Sequence, residues 1–523
     1  MSKAANMAKI SAKGSFNLLL GLVTSTIISS IGTIIVANLI GDANYGLYTI
    51  AIAAPNLISL FSNWGVSNAM IRFTAQYNAQ DKAANVRRIF AAGIIFQTIL
   101  GLTLSVVAFL ISGFLAKLYS LPSITPLIEI ASFMILTGAL LGTAQAAFTG
   151  FEKLELNSAT LVVQSIIKTV VSIVLVIAGL GSLGAIVGIT TATLIAGLTG
   201  ALLMWTLYRS LPKPPKSKLE IKATIRIMLN YGLPLSIATI IGNMQLQFYS
   251  FILPIFVRPD LIGNYGIAST FVVLITFFST PITTVLFPAF SKLDPQKDRE
   301  TLKNVFQFSV KYSSLFVIPV TFIVITLSQL GISVLFPQYT AAPLFLALLA
   351  ANYLYNALGN QSVSSLLNGL GQTSFYLKIA LIQAAVGFPL SIILISRFGV
   401  IGLIITALVD GFPGLIVALW WIRKKYGVTV DWASSIKILL SSGTASIVTY
   451  LLILVMPFGN LTKLFVGAVI FMGILVIVTL LTKTINRSDL SNLRDMLTEL
   501  GPFRRLFNFL IGLIEKLMNA FRM

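Results

Sequence analysis

Gly41-Asp42-Ala43-Asn44-Tyr45-Gly46 opens the stretch on which the reading of this chain turns. It is followed by an apolar span, then Trp64-Gly65-Val66-Ser67-Asn68-Ala69-Met70-Ile71-Arg72-Phe73, then a charged segment ending Arg87-Arg88-Ile89-Phe90. A hairpin tip, a membrane crossing and a basic exit follow one another. The pattern returns as Leu261-Ile262-Gly263-Asn264-Tyr265-Gly266, with Asn-Tyr-Gly offset by 220 residues.

The rest of the chain explains why such a hairpin must lie in lipid. Hydrophobic residues make up 56% of the 523, and charged residues only 10%, a composition that forces most of the surface into a bilayer. Lys3, Lys9 and Lys13 lead into a hydrophobic span too long for the core of a cleavable signal peptide. With no cysteine there is no disulfide framework and no thiolate nucleophile, and with no histidine there is no imidazole base or metal ligand.

Runs of about 20 apolar residues cross a bilayer as helices. Fourteen are expected, at 16–40, 46–70, 90–116, 126–148, 157–180, 183–207, 229–256, 262–288, 306–334, 341–366, 374–396, 400–422, 437–457 and 462–482. With a cytoplasmic N-terminus, 29 of the 36 Lys and Arg fall in inside segments and only Lys117, Arg258, Arg397 and Lys463 in outside loops. That bias places both termini in the cytoplasm of a plasma-membrane protein, and it makes the net charge of +20 topological rather than a sign of nucleic acid.

The repeat has two further anchors. Gly150 matches Gly369 at an offset of 219, and Gly181 and Gly184 match Gly399 and Gly402 at 218. A six-helix unit used twice predicts a parallel repeat about an axis along the membrane normal. The expected organisation is an all-α membrane protein: a first lobe at 1–207, a basic linker at 208–228 with Pro212, Pro214 and Pro215, and a second lobe at 229–422. Two extra spans at 423–484 and a cytoplasmic amphipathic tail at 485–523 complete it.

Polar groups inside a membrane are costly unless they line water or find partners, so their phase along a helix is informative. Span seven carries Ser236, Thr239, Asn243, Gln247 and Ser250 on one face, and span two carries Thr49, Asn56, Ser59 and Asn63 beside Pro55. Span one offers Ser25, Ser29 and Thr33, and span eight Thr276, Thr280 and Thr283. Because these spans are repeat equivalents in pairs, a central polar cavity between two lobes is expected, with helix-to-helix hydrogen bonding the alternative for the hydroxyls.

Three lysines lie within spans. Lys311 and Lys378 are near enough to the cytoplasmic surface to snorkel, whereas Lys168 is deep, on a face with Asn157, Gln164 and Ser172, and needs water, an acid or an anion. Arg72 is an anchor by default, placed to meet a phosphate at the cavity mouth. The sole deep acid is Asp410, in Asp410-Gly411-Phe412-Pro413-Gly414, where a broken helix would free carbonyls beside a carboxylate. Such a site suits Na⁺ or H⁺ coupling or a counter-charge for Lys168. There is no phosphate-binding loop of an ATPase, and the short outside loops argue against a glycan polymerase or ligase. A transporter without a tightly held cofactor is expected.

The segment Trp64–Phe73, with Ala75, Tyr77 and the exit Asn85-Val86-Arg87-Arg88-Ile89-Phe90, resembles the prokaryotic polysaccharide biosynthesis and export family. These are the Wzx-type oligosaccharide flippases of the multidrug/oligosaccharidyl-lipid/polysaccharide (MOP) superfamily. Gly41–Tyr48 is similar to that family's first hairpin, and Leu286-Phe287-Pro288-Ala289-Phe290-Ser291-Lys292 to its second-lobe counterpart. The resemblance implies two six-helix lobes in a V around a central cavity. It also implies movement of a polyprenyl- or dolichyl-(pyro)phosphate-linked oligosaccharide to the outer leaflet, alongside membrane lipids and glycan-assembly enzymes. On that reading Arg72, Lys168, Lys311 and Lys378 are the candidate phosphate contacts, and Asn56, Asn63, Asn243 and Gln247 the sugar-facing amides. The competing expectation is a cation-coupled exporter of small amphiphiles.

Overall fold

A computed structural model describes residues 3–211, 221–291 and 293–484, and the single residues 486, 489, 512 and 515. Side chains are described throughout these except at 3–16, 234–235, 238–239 and 277–289. Most of the basic linker and nearly all of the amphipathic tail therefore lie outside the described residues, as do the side chains of Thr239, Thr280 and Thr283 and of residues 286–289.

Among the described residues the chain is helical with no strand. Eight helical runs are long and apolar enough to cross a membrane, and a ninth, 342–369, is bent by 56° at Gly359. Three of the eight are too long for one crossing: 17–62, 154–210 and 373–426 hold 46, 57 and 54 residues. About 20 residues suffice for a hydrocarbon core of ~30 Å at 1.5 Å per residue. Each of the three folds back where a hairpin is expected, at Gly41, at Gly179–Gly181 and at Gly399. With helices Ile221–Phe256 and Pro259–Ser291, each of the fourteen expected spans falls on a helix.

The repeat is visible in the backbone itself. Gly181 (φ 49°, ψ −129°) and Gly399 (φ 58°, ψ −130°) adopt the same conformation, one that a side chain would resist. Three residues on, Gly184 and Gly402 let each returning helix press onto the backbone at Leu175 and at Leu394; an added Cβ would lie 2.9 Å and 2.0 Å away. At the other end of the membrane, Glu152 and Gly371 both take positive φ, 57° and 69°, just after the helices that end at Gly150 and Gly369.

One boundary differs from the expected pattern. Span two does not run on to residue 70: it ends at Ser62, turns at Trp64 (φ 42°) and Gly65 (φ 79°), and a separate helix, Val66–Ala79, carries Arg72. Two consecutive positive-φ residues cannot belong to a helix, and a lone glycine after a tryptophan did not announce the break.

Packing gathers the chain into two compact units, residues 1–267 with 384–406 and residues 268–383 with 407–523. In the first, the core around Val66, Met70, Phe90 and Phe148 also takes in Met228, which is fully buried. Helix 221–256 thus starts inside the stretch assigned to the linker and packs with the first-half helices. In the second, Phe290, Leu302, Phe306, Leu366, Leu415 and Ile422 form the main core.

Asp431 caps helix Trp432–Val455, accepting from the Ser434 N–H at 3.3 Å and from its hydroxyl. Burial pushes its carboxyl up, but the Ser434 hydrogen bonds and the nearby Lys311 charge outweigh this and hold it below the usual carboxylate range. A depressed folded value means that the cap stabilises above about pH 4 and is lost as pH falls through the folded value. Asp431→Ala should cost about 0.5–2 kcal/mol at neutral pH and less in acid, read as unfolding midpoints across that range.

Candidate functional site

Spans one, five and six are drawn together by small residues. A Cβ on Gly21 would lie 2.4 Å from Ser158, one on Gly32 2.4 Å from Thr169, and one on Gly188 2.0 Å from Ser172. Hydroxyls fill the same contacts: Ser158 donates to the Asn17 carbonyl at 2.7 Å and Thr169 to the Ile28 carbonyl at 3.2 Å. With no hydrophobic drive between helices in lipid, close backbone approach and hydroxyl bonds are what hold them.

Lys168 sits at this junction, between two cavities of the first unit. One, about 20 Å³, is lined by Thr33, Tyr45, Tyr48, Thr169 and Ser172. The other, about 230 Å³, is lined by Ser25, Ser29, Gln164, Ser165 and apolar residues of spans five and six. A cavity needs about 10–15 Å³ of such space to hold a water, so the first takes a single molecule and the second several. The spacing of Ser25, Ser29 and Thr33 on span one and of Gln164, Lys168 and Ser172 on span five had placed each set on one helical face, and the fold brings the two faces together. Tyr45 and Tyr48, with ring centroids 5.4 Å apart, were not anticipated as lining. They follow the Gly41 tip by one turn, and only the hairpin's return shows which face they present.

Ser25 and Ser165 donate to carbonyls of their own helix, at 3.0 Å and 2.8 Å, leaving their oxygens able to accept. Among the described residues neither the Lys168 ammonium nor the Gln164 amide has a hydrogen-bond or ion-pair partner. A cation held inside a membrane protein without a counter-charge is an unmet demand for an anion.

The other candidates divide. Lys311 does not stand free for a phosphate: its ammonium is 2.7 Å from Asp489, just beyond span fourteen, and Tyr312 and the Asn486 N–H bond the same carboxylate. The sequence offered no spacing rule to join residues 178 apart. Asp489→Asn should therefore destabilise the second unit by about 1.5–3 kcal/mol, the worth of a hydrogen bond to a charged group. An unchanged unfolding midpoint would reject the pair, and recovery in Lys311→Met/Asp489→Leu would support it.

Asn63 is also committed. Its side-chain oxygen caps helix 66–79 through the Ser67 N–H at 3.0 Å and accepts from Gln97 at 3.1 Å, while Gln97 also donates to Ser67. This is the helix-to-helix alternative, realised at a break the sequence did not announce. Asn56 is half-buried; its carbonyl accepts the Ser59 hydroxyl at 2.7 Å, while its side-chain amide has no partner among the described residues. Asn243 is exposed and Gln247 half-buried on span seven, where Ser236 is buried. Arg72 is exposed, its guanidinium 4.2 Å from the centre of the Tyr231 ring. Lys378 is exposed.

Asp410 is buried between helices Thr373–Val409 and Gly411–Tyr426, at the N-terminus of the second, where a helix dipole favours a carboxylate. The break is a single residue with right-handed φ and ψ, milder than Gly and Pro suggested, and the Leu408 carbonyl there takes the Tyr355 hydroxyl. Among the described residues no cluster of acidic side chains could ligate a metal ion.

A family model described as "Polysaccharide biosynthesis protein" matches residues 11–294, and one described as "Lipid II flippase MurJ" matches residues 269–477. An uncharacterised membrane protein of Methanocaldococcus jannaschii is 23% identical over 87% of this chain and 92% of its own length. A probable low-salt glycan biosynthesis flippase of Haloferax volcanii is 23% identical over 51% of this chain and 57% of its own. Among solved structures, the lipid II flippase MurJ in its inward closed conformation superposes with a TM-score of 0.72, at 16% identity, over 88% of this chain and 98% of that one. That last similarity is one of fold.

Proposed function

Because this chain, a multi-pass membrane protein, belongs to the polysaccharide biosynthesis protein family, we propose that it carries a lipid-linked oligosaccharide from the cytoplasmic to the outer leaflet by alternating access. The observation that carries this reading is Lys168: an uncompensated ammonium in a hydroxyl- and amide-lined cavity of about 230 Å³. A phosphate or diphosphate supplies the missing charge, and lysine meets phosphate as a point charge with three donors. Ser25, Ser29 and Gln164 add neutral hydrogen bonds to phosphate oxygens or the first sugar. The cavity suits a phosphate group; the glycan beyond it requires a wider opening, and the isoprenoid tail stays in lipid.

Lys168 alone among the three intramembrane lysines carries the phosphate role in this reading, since Asp489 holds Lys311 and Lys378 is exposed. Asp410 is the group to test for ion coupling: buried and titratable, it could exchange Na⁺ or H⁺ as the gradient turns the transporter over. Asp410→Asn should abolish stimulation by that gradient, and undiminished stimulation would reject the assignment.

The deciding experiment reconstitutes the full chain in vesicles and follows a fluorescent polyprenyl-diphosphate sugar from one leaflet to the other. Equal rates with and without protein would remove the flippase reading. Transport of an amphiphilic cation in place of the phospho-sugar would favour the drug-exporter alternative.

A further inference from the structure

A second cationic site lies in the other compact unit, far along the chain from Lys168, where the start of helix 373–409 meets the end of helix 411–426. Phe375 stacks on Trp421 with ring centroids 4.0 Å apart and planes 14° from parallel. Over this platform sits the Lys425 ammonium, 4.5 Å from the Trp421 ring and 5.3 Å from Tyr426. Gln372 accepts one of its hydrogens at 3.1 Å. Lys424 lies 5.1 Å over the ring of Trp420, a residue 59% exposed. Lys378, three residues after Phe375, shares its helical face and is exposed.

These lysines are not neutralised from within. The two ion pairs among the described residues are Arg258–Asp260 and Lys311–Asp489, and neither involves Lys378, Lys424 or Lys425. The Lys424 and Lys425 ammonium groups are held over aromatic faces, Lys425 by the Gln372 amide as well, so their remaining N–H groups are pre-aimed. The exposed Trp420 beside them is an amphipathic ring of the kind that sits at head-group level, with its body toward the acyl chains. Helix 154–210 ends in a poorer version of the same device, with Arg209 5.1 Å over the half-exposed Trp205. Spans six and twelve are repeat equivalents, so the arrangement occurs in both copies at the end that the charge bias assigns to the cytoplasm.

The geometry points to Lys378, Lys424 and Lys425, with Trp420 and the Phe375–Trp421 stack, as a head-group site for an anionic phospholipid of the cytoplasmic leaflet. The phosphate meets the lysines while the first acyl segment lies along Trp420. A zwitterionic lipid brings its own cation to the same place and is disfavoured. This site is independent of the transport reading, because its ligand is a resident lipid and its readout is retention.

Native mass spectrometry of the detergent-purified full chain tests it, with phosphatidylglycerol and phosphatidylcholine supplied in competition. The wild type should retain phosphatidylglycerol at least several-fold more than phosphatidylcholine. Lys378→Gln/Lys424→Gln/Lys425→Gln should lose most of that preference, and the triple Arg variant should keep it. Since all three positions are on the surface, the helical circular dichroism signal should be unchanged, and Trp420→Ala gives a second route to the same loss. Equal retention by the wild type and the Gln variant would overturn the site. Displacement of phosphatidylglycerol by equimolar polyprenyl phosphate would also overturn it, making the patch a substrate entry instead.

Discussion

Lys168→Met is expected to slow transport of a polyprenyl-diphosphate sugar by about 10- to 100-fold while raising the protein's resistance to unfolding. A hydrogen bond to a charged group contributes about 1.5–3 kcal/mol, and each ~1.4 kcal/mol is a factor of ten. The opposite sign for stability follows from the same geometry. Lys168 lacks an acid or amide partner among the described residues. Replacing its ammonium by a similar apolar chain removes an unmet polar group, worth about 1 kcal/mol or more. Transport rates in vesicles and unfolding midpoints in detergent read the two effects separately. Wild-type transport would take Lys168 out of the substrate site, and a loss of both transport and stability would make it structural. Few core substitutions should stabilise a protein while disabling it, and that combination marks a residue kept for its ligand.

Gly232→Ala and Gly46→Ala should each cost at least about 3 kcal/mol, at or beyond the upper end of the overpacking range. Span seven and the hairpin that follows it touch the first hairpin backbone to backbone at two places. A Cβ on Gly232 would lie 2.3 Å from the Gly65 carbonyl oxygen, and one on Gly46 1.8 Å from that of Pro259. Real Cβ atoms do not approach so closely, and a main-chain oxygen cannot swing aside as a side chain can. Gly65→Ala should be worse still, since Gly65 has φ 79° and its Cβ would sit 2.0 Å from the Gly232 oxygen. Unchanged unfolding midpoints in both alanine variants would show that these contacts do not form.

These contacts show how the two Asn-Tyr-Gly motifs use their glycines. Gly46 meets Pro259, and a Cβ on Gly263 would lie 2.1 Å from the Asp42 oxygen. The two tips that carry the Asn-Tyr-Gly pattern are packed on each other. An internal repeat predicts that two segments share a conformation; it does not predict that they touch. Gly181 and Gly399 illustrate the first kind of inference, which the sequence offset reached directly. Gly46 and Gly263 illustrate the second.

The candidate site was legible to the same extent. Polar residues at steps of three and four on spans one and five marked faces that must be buried or wet, whatever they met. That Lys168 is unpaired while Lys311 is paired could not be read in that way. Asp489 lies 178 residues from Lys311, and no local rule connects them. Asn63 carried the same polar signal as Asn56, yet the break at Trp64–Gly65 turned it into a helix cap.

Composition, hydropathy and charge bias act through the solvent, which every residue meets independently, so the membrane class, the fourteen expected spans and the repeat follow from the chain read in order. Pairing, by contrast, depends on which surfaces come within a few ångströms after folding. Counter-charges for the lysines, the Gly65–Gly232 approach and the cavity beside Lys168 are properties of distance between residues remote in the chain, and distance of that kind exists only in the folded protein.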